Sequence, residues 1–358
     1  IKKNTVLNAG NSGTLARCII GLCSASKNNF KLIGDKSLSK RDFSRVIKPL
    51  NLFGVNIKSR NDMLPLEFKG SNLLRPINYT ENKGSAQVKT CIIFCAINTP
   101  GITKINAKKS RNHTELLLKY LKYPIKIKKN KTYDLIEVKG LRQFKSFDYK
   151  VPGDISSASF FIILTLLSKN SSLIIKNINI NQSRIGILKI LNLMNANIKI
   201  LNKKNYRGED IGDIKIKSTK NFKSINCPEK LNSSAIDEFL LIFLIASKSK
   251  GVSTFKNLNE LNKKESPRLD VAIKFLKMIG IKVVRKNCDI KIFGNPSLKL
   301  KKSYQMKNFM KDHRIFMMTV ITALTLGGKW KINDKDSIKT SFPKFLEISK
   351  KLGAKINW

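Results

Sequence analysis

Acidic residues are scarce in this chain. Its 24 Asp and Glu stand against 69 Lys and Arg, a formal net charge of +45 over 358 residues. An excess of that size ordinarily points to nucleic acid or a membrane surface. The other marks of nucleic-acid binding are missing: there is no RNP-type segment, no zinc spacing and no interleaving of aromatic with basic residues. The basic residues are scattered and almost all Lys, in a chain also crowded with Ile and Asn, which reads as drift toward A/T-rich codons. Neither nucleic acid nor a membrane is therefore expected as a partner, and the charge serves to attract small dianions. A basic nucleic-acid-binding protein stays as the alternative from another class, which strong salt-dependent DNA binding would reveal.

Long apolar runs are lacking too. Phe160 to Leu167 and Phe239 to Ala246 are the longest, well short of the about 20 residues a transmembrane helix needs. No signal-peptide pattern opens the chain, so a cytoplasmic protein is expected. The six cysteines include no CxxC pair, and neither of the two histidines has another ligand type at metal spacing, which excludes a disulfide framework and a zinc site. Cys91 and Cys95 lie inside an apolar run and read as core. A hydrophobic fraction of 42% supports a folded chain with room for two domains. Ile1 is not a start methionine, so a shortened N-terminus is expected.

What is present is a repeat. A helix tail, a turn and an apolar-x-apolar strand start recur at Leu52-Phe-Gly54-Val-Asn-Ile57, Lys122-Tyr-Pro124-Ile-Lys-Ile127, Leu193-Met-Asn195-Ala-Asn-Ile198, Met278-Ile-Gly280-Ile-Lys-Val283 and Lys351-Leu-Gly353-Ala-Lys-Ile356. Gly or Asn there suits a left-handed helix C-cap, and Pro marks an equally firm stop. Steps of about 70 to 85 residues suit a small α/β unit rather than a solenoid repeat. A second series keeps the beat, with small polar residues leading into apolar helices at Ser12-Gly-Thr14, Gly84-Ser-Ala-Gln87, Asp154-Ile-Ser-Ser157, Ser234-Ala-Ile-Asp237 and Asp312-His-Arg314. Exposed N–H groups at such helix heads are ready anion sites. Between them run Lys/Ile alternations such as Ile125 to Lys128 and Ile214 to Lys217, expected as strands buried on one face. The simplest partition has domains at 1–150 and 151–358, joined near Val151-Pro-Gly-Asp154. Two full units precede the joint and three follow it, so an N-terminal unit is expected to be missing.

The polar stretch Lys264-Glu-Ser-Pro-Arg268 stands out, because Lys at a helix start opposes the macrodipole. Arginine is the scarce cation, with twelve in the chain, and Arg17, Arg41, Arg111, Arg268 and Arg314 fall in these polar stretches, as do His113 and His313. Arg gives planar, bidentate recognition of phosphate and carboxylate that Lys cannot copy. A structural ion pair would explain any one of them equally well.

These residues resemble the 5-enolpyruvylshikimate-3-phosphate synthase family from Leu7 to about Ile356. Asn8-Ala-Gly-Asn-Ser-Gly-Thr-Leu-Ala-Arg17 resembles its N-[AS]-G-T-x-x-R segment, and Gly34 to Arg41 its arginine loop. Gly84 to Lys89, Ser110 to Glu115, Val151 to Ala158, Ile236 to Phe239, Lys264 to Arg268, Asp312 to Arg314 and Thr340 to Pro343 follow in the family's order. The resemblance implies an α/β (α+β) fold of two similar domains built from βαβαββ units, an inside-out α/β barrel with its N-terminal repeat absent, and an active site between the domains. It implies transfer of the enolpyruvyl group of phosphoenolpyruvate to the 5-hydroxyl of shikimate 3-phosphate with release of phosphate, in chorismate and aromatic amino acid biosynthesis. It implies no metal or organic cofactor and, as expected here, a monomer. By family position Asp237 is the base at the 5-hydroxyl, and Glu265 with Lys264 handles the proton at C3. Gly13, Arg41, Gln87, Arg268 and Arg314 would hold phosphoenolpyruvate. Ser85, Ala86, Gln87, Arg111, Asp237 and Lys264 would hold shikimate 3-phosphate, and His313 would orient Arg314.

The departures are specific. The family's Lys-Ser-x-x-x-Arg segment has no counterpart, and a chain truly starting at Ile1 would lack a substrate-binding cation; an inactive shortened remnant is the reading that follows. Asn112 replaces a usual Asp, and Pro267 replaces another and is expected in the first helical turn. The Ser85-Ala-Gln87 and Thr340-Ser-Phe-Pro343 wording resembles the family branch known for glyphosate tolerance, but Gly13 sits where tolerant members carry Ala, so sensitivity is expected. The related UDP-N-acetylglucosamine enolpyruvyl transferase is the nearest rival, but it uses a mobile-loop cysteine and the cysteines here lie mostly in apolar runs.

Overall fold

The computed structural model describes residues 4–357, so Ile1 lies outside the described residues. The chain divides into two compact units, Ile1–Tyr149 and Lys150–Trp358. Each has its own hydrophobic core.

The first unit contains one pattern twice. Strand β1 (Asn4–Asn8), helix α1 (Gly13–Leu22), β2 (Asn29–Ile33), α2 (Ser44–Phe53), β3 (Asn56–Arg60) and β4 (Met63–Lys69) form a sheet of order β1-β2-β4-β3. β1 and β2 run parallel across the α1 crossover, and the β3–β4 hairpin returns antiparallel with β4 against β2. Strand β5 (Asn78–Glu81), α3 (Ala86–Ile97), β6 (Ile102–Lys108), α4 (His113–Tyr120), β7 (Ile125–Lys129) and β8 (Tyr133–Lys139) repeat it as β5-β6-β8-β7. Alternating burial on β4 and β6 is what one covered sheet face requires. Helices α1 and α3 approach so closely that a Cβ on Gly21 would lie 2.2 Å from the carbonyl oxygen of Cys91.

The second unit varies the pattern. Its first repeat has α5 (Ile155–Leu167), β9 (Ser172–Asn179), α6 (Gly186–Leu193), β10 (Ile198–Tyr206) and β11 (Glu209–Lys217), in the order β10-β11-β9. The strand expected ahead of α5 shrinks to one parallel bridge, Gly153 with Ile178, because Pro152 has no N–H to extend a ladder. The next repeat is complete: β12 (Phe222–Lys223), a short helix α7 (Asn232–Ala235), α8 (Phe239–Ser247), β13 (Ser249–Phe255), α9 (Arg268–Met278), β14 (Val283–Lys286) and β15 (Asp289–Gly294) give β12-β13-β15-β14. The last has β16 (Leu300–Met306), α10 (His313–Leu326), β17 (Gly327–Ile332) and α11 (Phe345–Lys351), with β16 and β17 paired in parallel. The expected strand start at Ala354 to Ile356 does not form a strand, and the three full units expected after the joint become one full and two partial ones.

Helix α8 shows why the core sits where it does. All of its residues from Phe239 to Ser247 are buried, as a helix apolar on every side requires. Phe239 and Phe243 pack on Phe255 of β13. Full burial of such side chains contributes about 1.5–3 kcal/mol each. The turn series has one exception. Gly54, Asn195, Gly280 and Gly353 are left-handed, with φ of 99°, 65°, 83° and 95°, but in the second repeat Lys122 (φ 54°) takes that role, not Pro124. A proline ring fixes φ near −65°, so Pro124 can only follow the cap, where it leads into β7.

Candidate active site

In the first unit the candidate residues gather at two helix heads. Ser12 caps α1, accepting from the Leu15 N–H at 3.1 Å, so Gly13 opens the helix with its N–H uncommitted to the helix ladder. Arg17, one turn on, donates to the Gln87 side chain at 2.8 Å and to the Asp42 carbonyl at 3.2 Å, and Gln87 donates to the Thr14 hydroxyl at 2.7 Å. Arg41 follows a 3-10 turn at Leu38–Lys40 that Asp35 anchors by accepting from the Leu38 N–H at 2.8 Å. A Cβ on Gly13 would stand 3.0 Å from Nη1 of Arg17 and 3.1 Å from Nη1 of Arg41, so two guanidiniums converge on one helix head. Burial lowers the pKa of Arg17, and Arg41 and Arg45 lower it further. Such crowding of cations calls for an anion.

Ser85 caps α3, accepting from the Val88 N–H at 3.4 Å, and Ala86 and Gln87 form its first turn. The loop before it is fixed by Glu81, whose buried carboxylate accepts from the N–H groups of Lys83, Gly84 and Ser85 at 3.0, 2.8 and 3.0 Å. Arg111 and Asn112 stand at the head of α4, with Asn112 in the cap position. Lys89 and Glu115, the last residues of two sequence motifs, form a buried ion pair at 2.5 Å that ties α3 to α4.

In the second unit Asp237 precedes α8. Its Oδ1 lies 3.4 Å from Nζ of Lys264 and 3.6 Å from Nη1 of Arg268, and its Oδ2 lies 3.6 Å from Nη1 of Arg184. The carboxylate thus has cations on both edges. Its backbone carbonyl accepts from Nη1 of Arg314 at 3.1 Å. Arg268 is 1% exposed. Its Nε donates to Asp312 at 2.9 Å, and its Nη2 donates to Glu265 and, at 3.4 Å, to Asp312. Burial alone would lower the pKa of Arg268, but Asp312 and Glu265 outweigh it and raise it. Asp312 caps α10, accepting from the Arg314 N–H at 3.0 Å and from the Ser266 hydroxyl at 2.8 Å. Burial works to raise its pKa, and Arg268 prevails and lowers it. His313, at the first turn of α10, has its pKa lowered by burial and then by Arg314, so its imidazole is neutral at pH 7.

Pro267 departs from expectation. It sits at the cap of α9 with ψ 75°, its carbonyl accepting from the Val271 N–H at 3.0 Å, one residue ahead of the helical turn. The residue before it, Ser266, is held by Asp312 instead of continuing the helix.

Sequence reasoning passed over three groups here. Arg184 bridges Asp237 to Asp154, and its place among only twelve arginines was the available signal. Glu238 is buried, accepts from the Ser156 hydroxyl at 2.5 Å and lies 3.7 Å from Nη1 of Arg314. Burial raises its pKa against the pull of Arg314, with Asp237 adding to the rise. Glu81 gave no signal beyond being one of few acids.

The family model of EPSP synthase (3-phosphoshikimate 1-carboxyvinyltransferase) matches residues 1–348. A 3-phosphoshikimate 1-carboxyvinyltransferase of Ruthia magnifica subsp. Calyptogena magnifica is 39% identical over 361 residues, covering 99% of this chain and 80% of the relative. The structure of EPSP synthase from Acinetobacter baumannii superposes with a TM-score of 0.87 at 32% identity, covering 99% of this chain and 80% of that one. The enolpyruvyl transferase NikO from Streptomyces tendae, at 13% identity, shares the fold alone, with a TM-score of 0.67 over 94% of this chain and 75% of its own. The fold is thus the mixed α/β fold of the enolpyruvyl transferases, and the UDP-N-acetylglucosamine and nucleic-acid readings give way. The chain belongs to the EPSP synthase (3-phosphoshikimate 1-carboxyvinyltransferase) family.

Proposed function

We propose that the enzyme carries out its family's transfer, from phosphoenolpyruvate to the 5-hydroxyl of shikimate 3-phosphate, through the residues assembled above. The 5-hydroxyl loses its proton to Asp237 as its oxygen attacks C2 of phosphoenolpyruvate. C3 gains a proton from Glu265 with Lys264 beside it. The tetrahedral intermediate then expels phosphate as C3 returns the proton. Gly13, Arg41, Gln87, Arg268 and Arg314 hold the phosphoenolpyruvate anion, and Ser85, Ala86, Gln87, Arg111, Asp237 and Lys264 hold shikimate 3-phosphate. The observation that carries the reading is the Asp237 carboxylate with Lys264 at 3.4 Å and two guanidiniums at 3.6 Å, since that surrounding favours the charged form a base needs. Domains at 1–150 and 151–358, a monomeric state and a cytoplasmic location belong to the same proposal.

The test is the reaction itself. Mixing protein, shikimate 3-phosphate and phosphoenolpyruvate should release phosphate and form the enolpyruvyl ether in equal amounts. Release from phosphoenolpyruvate and UDP-N-acetylglucosamine instead, or from neither acceptor, overturns the reading.

Glyphosate should compete with phosphoenolpyruvate, because Gly13 leaves room beside the two guanidiniums. In Gly13→Ala the added methyl would stand 3.0 and 3.1 Å from the Arg17 and Arg41 guanidiniums, closer than ordinary van der Waals contact, so their flexible ends must give. The inhibition constant for glyphosate should rise at least about tenfold, equivalent to about 1.4 kcal/mol, with a smaller rise in KM for phosphoenolpyruvate. Inhibition curves for the two proteins check this, and a parent indifferent to millimolar glyphosate refutes it.

A further inference from the structure

We propose that Arg184 is a positioning residue that keeps Asp237 ionised and aimed as the base, an inference that rests on the role given to Asp237 above. Arg184 lies in the loop between β9 and α6, and that loop is rigidly built. Its backbone N–H donates to the Asn181 carbonyl at 2.8 Å. The Asn181 side chain accepts from the Ser183 N–H at 2.8 Å and donates to Glu209 at 3.0 Å, with Asn181 and Glu209 both buried. One residue past the loop, a Cβ on Gly186 would fall 2.4 Å from the Ser234 hydroxyl and 2.7 Å from the Ala235 nitrogen. Only glycine therefore lets the head of α6 press against the segment that leads into Asp237.

The guanidinium is held by one edge and presented by the other. Nη2 donates to Asp154 at 3.0 Å and to the Ser156 hydroxyl at 2.6 Å, and Nη1 faces Oδ2 of Asp237 at 3.6 Å. Asp154 is itself fixed as the cap of α5, accepting from the Ser157 N–H at 3.0 Å. Burial works to raise the Asp154 carboxyl, and Arg184 together with the Ser156 and Ser157 N–H groups and Arg314 holds it below its ordinary value. Asp154 therefore remains an anion that keeps Arg184 in place. The groups facing Asp237 are then Arg184 on one edge, Lys264 and Arg268 on the other, Arg314 on its carbonyl and the buried acid Glu238 beside it in sequence. Lys264 and Arg268 address Oδ1, and Arg184 addresses Oδ2.

The consequence is a pH-dependent defect. An opposite charge at this distance lowers a carboxyl pKa by about 1–3 units, so its removal should move the acid limb of kcat/KM up by about one pH unit. Arg184→Met should then lose up to about tenfold on the acid side of that limb, at and below about pH 4 where an ordinary Asp titrates, and progressively less as pH rises. Arg184→Lys, which restores the charge, should bring the limb back. The experiment is the pH profile of phosphate release by the parent, Arg184→Met, Arg184→Lys and Asp237→Asn, with Arg184→Met repeated on Glu238→Gln. A shift in Met, reversed in Lys and surviving on Glu238→Gln, supports the proposal. An unchanged profile, or a loss equal at every pH, overturns it, since a merely structural arginine would act that way. A shift that vanishes on Glu238→Gln assigns the sensed carboxyl to Glu238 and overturns it too. Full turnover by Asp237→Asn instead removes the base reading itself, so the two failures are distinguishable.

Discussion

Glu265→Gln is expected to lower kcat by about 10²–10⁴, the contribution typical of a positioned acid–base group, while shikimate 3-phosphate binds almost as before. The substitution removes the proposed proton-transfer group and keeps the size and shape of the side chain. The Glu265 side chain is 28% exposed and pairs with Nη2 of Arg268, three residues along. A glutamine amide oxygen can accept the same hydrogen bond, and Asp312 remains to balance the buried guanidinium. Folding should therefore be nearly unchanged, which separates this substitution from one that damages the site. Two readouts check it. Isothermal titration of shikimate 3-phosphate should give similar affinity for both proteins, and in heavy water the parent should wash deuterium into C3 of phosphoenolpyruvate while Glu265→Gln does so at the reduced rate. Retained exchange with lost turnover would move the proton step to another group, and Lys264, 3.4 Å from Asp237, is next in place.

What could be read in the sequence was what chemistry makes local. Ser12, Ser85, Asp154 and Asp312 accept from backbone N–H groups two or three residues on, so a short polar stretch ahead of an apolar run was enough to mark each helix head. The scarcity of arginine marked Arg41, Arg268 and Arg314 for the same reason that it should have marked Arg184. The rest depends on partners far apart in the chain. Ser156 meets Glu238, Asn181 meets Glu209 and Arg268 meets Asp312 only after the repeats have stacked. No local pattern distinguishes these acids from solvated ones. Lys89 and Glu115 show the converse case. They close two recognisable motifs, yet the structure buries them against each other as a tie between helices. The strand start expected at Ala354 to Ile356 shows the same limit: an apolar-x-apolar pattern says which face a strand would bury and is silent on whether a pairing partner exists.

The largest effect on stability should come from Arg268→Leu. The guanidinium is the cation on which buried Asp312 depends, and removing one member of a buried pair typically costs about 3–5 kcal/mol because the other charge is left uncompensated. Total stabilities are about 5–15 kcal/mol, so such a loss would leave the second unit marginal. Trp330, stacked on Tyr304 and Phe275, belongs to that unit, and the first unit's sequence has no tryptophan, which makes tryptophan fluorescence in urea a direct reporter. The pH dependence gives the sign. In the parent the Asp312 carboxyl lies below its ordinary value, so its stabilisation is complete above the unfolded value near about 4 and disappears as pH falls through the folded one. Without Arg268 burial raises the same carboxyl, which then favours folding only once protonated. The gap between the two proteins should therefore narrow from pH 7 toward pH 4. Asp312→Asn, which keeps an N-cap for α10, should recover part of the loss when combined with Arg268→Leu, although by itself it destabilises. A cost below about 1 kcal/mol for Arg268→Leu, the value of an exposed pair, or a gap that widens on acidification, would show that Asp312 does not depend on this arginine. The same buried grip would then be free to serve substrate alone. If the cost is as large as expected, Arg268 holds its carboxylates before any ligand arrives, and a bound anion can take only the face of the guanidinium that Nη1 turns toward Asp237.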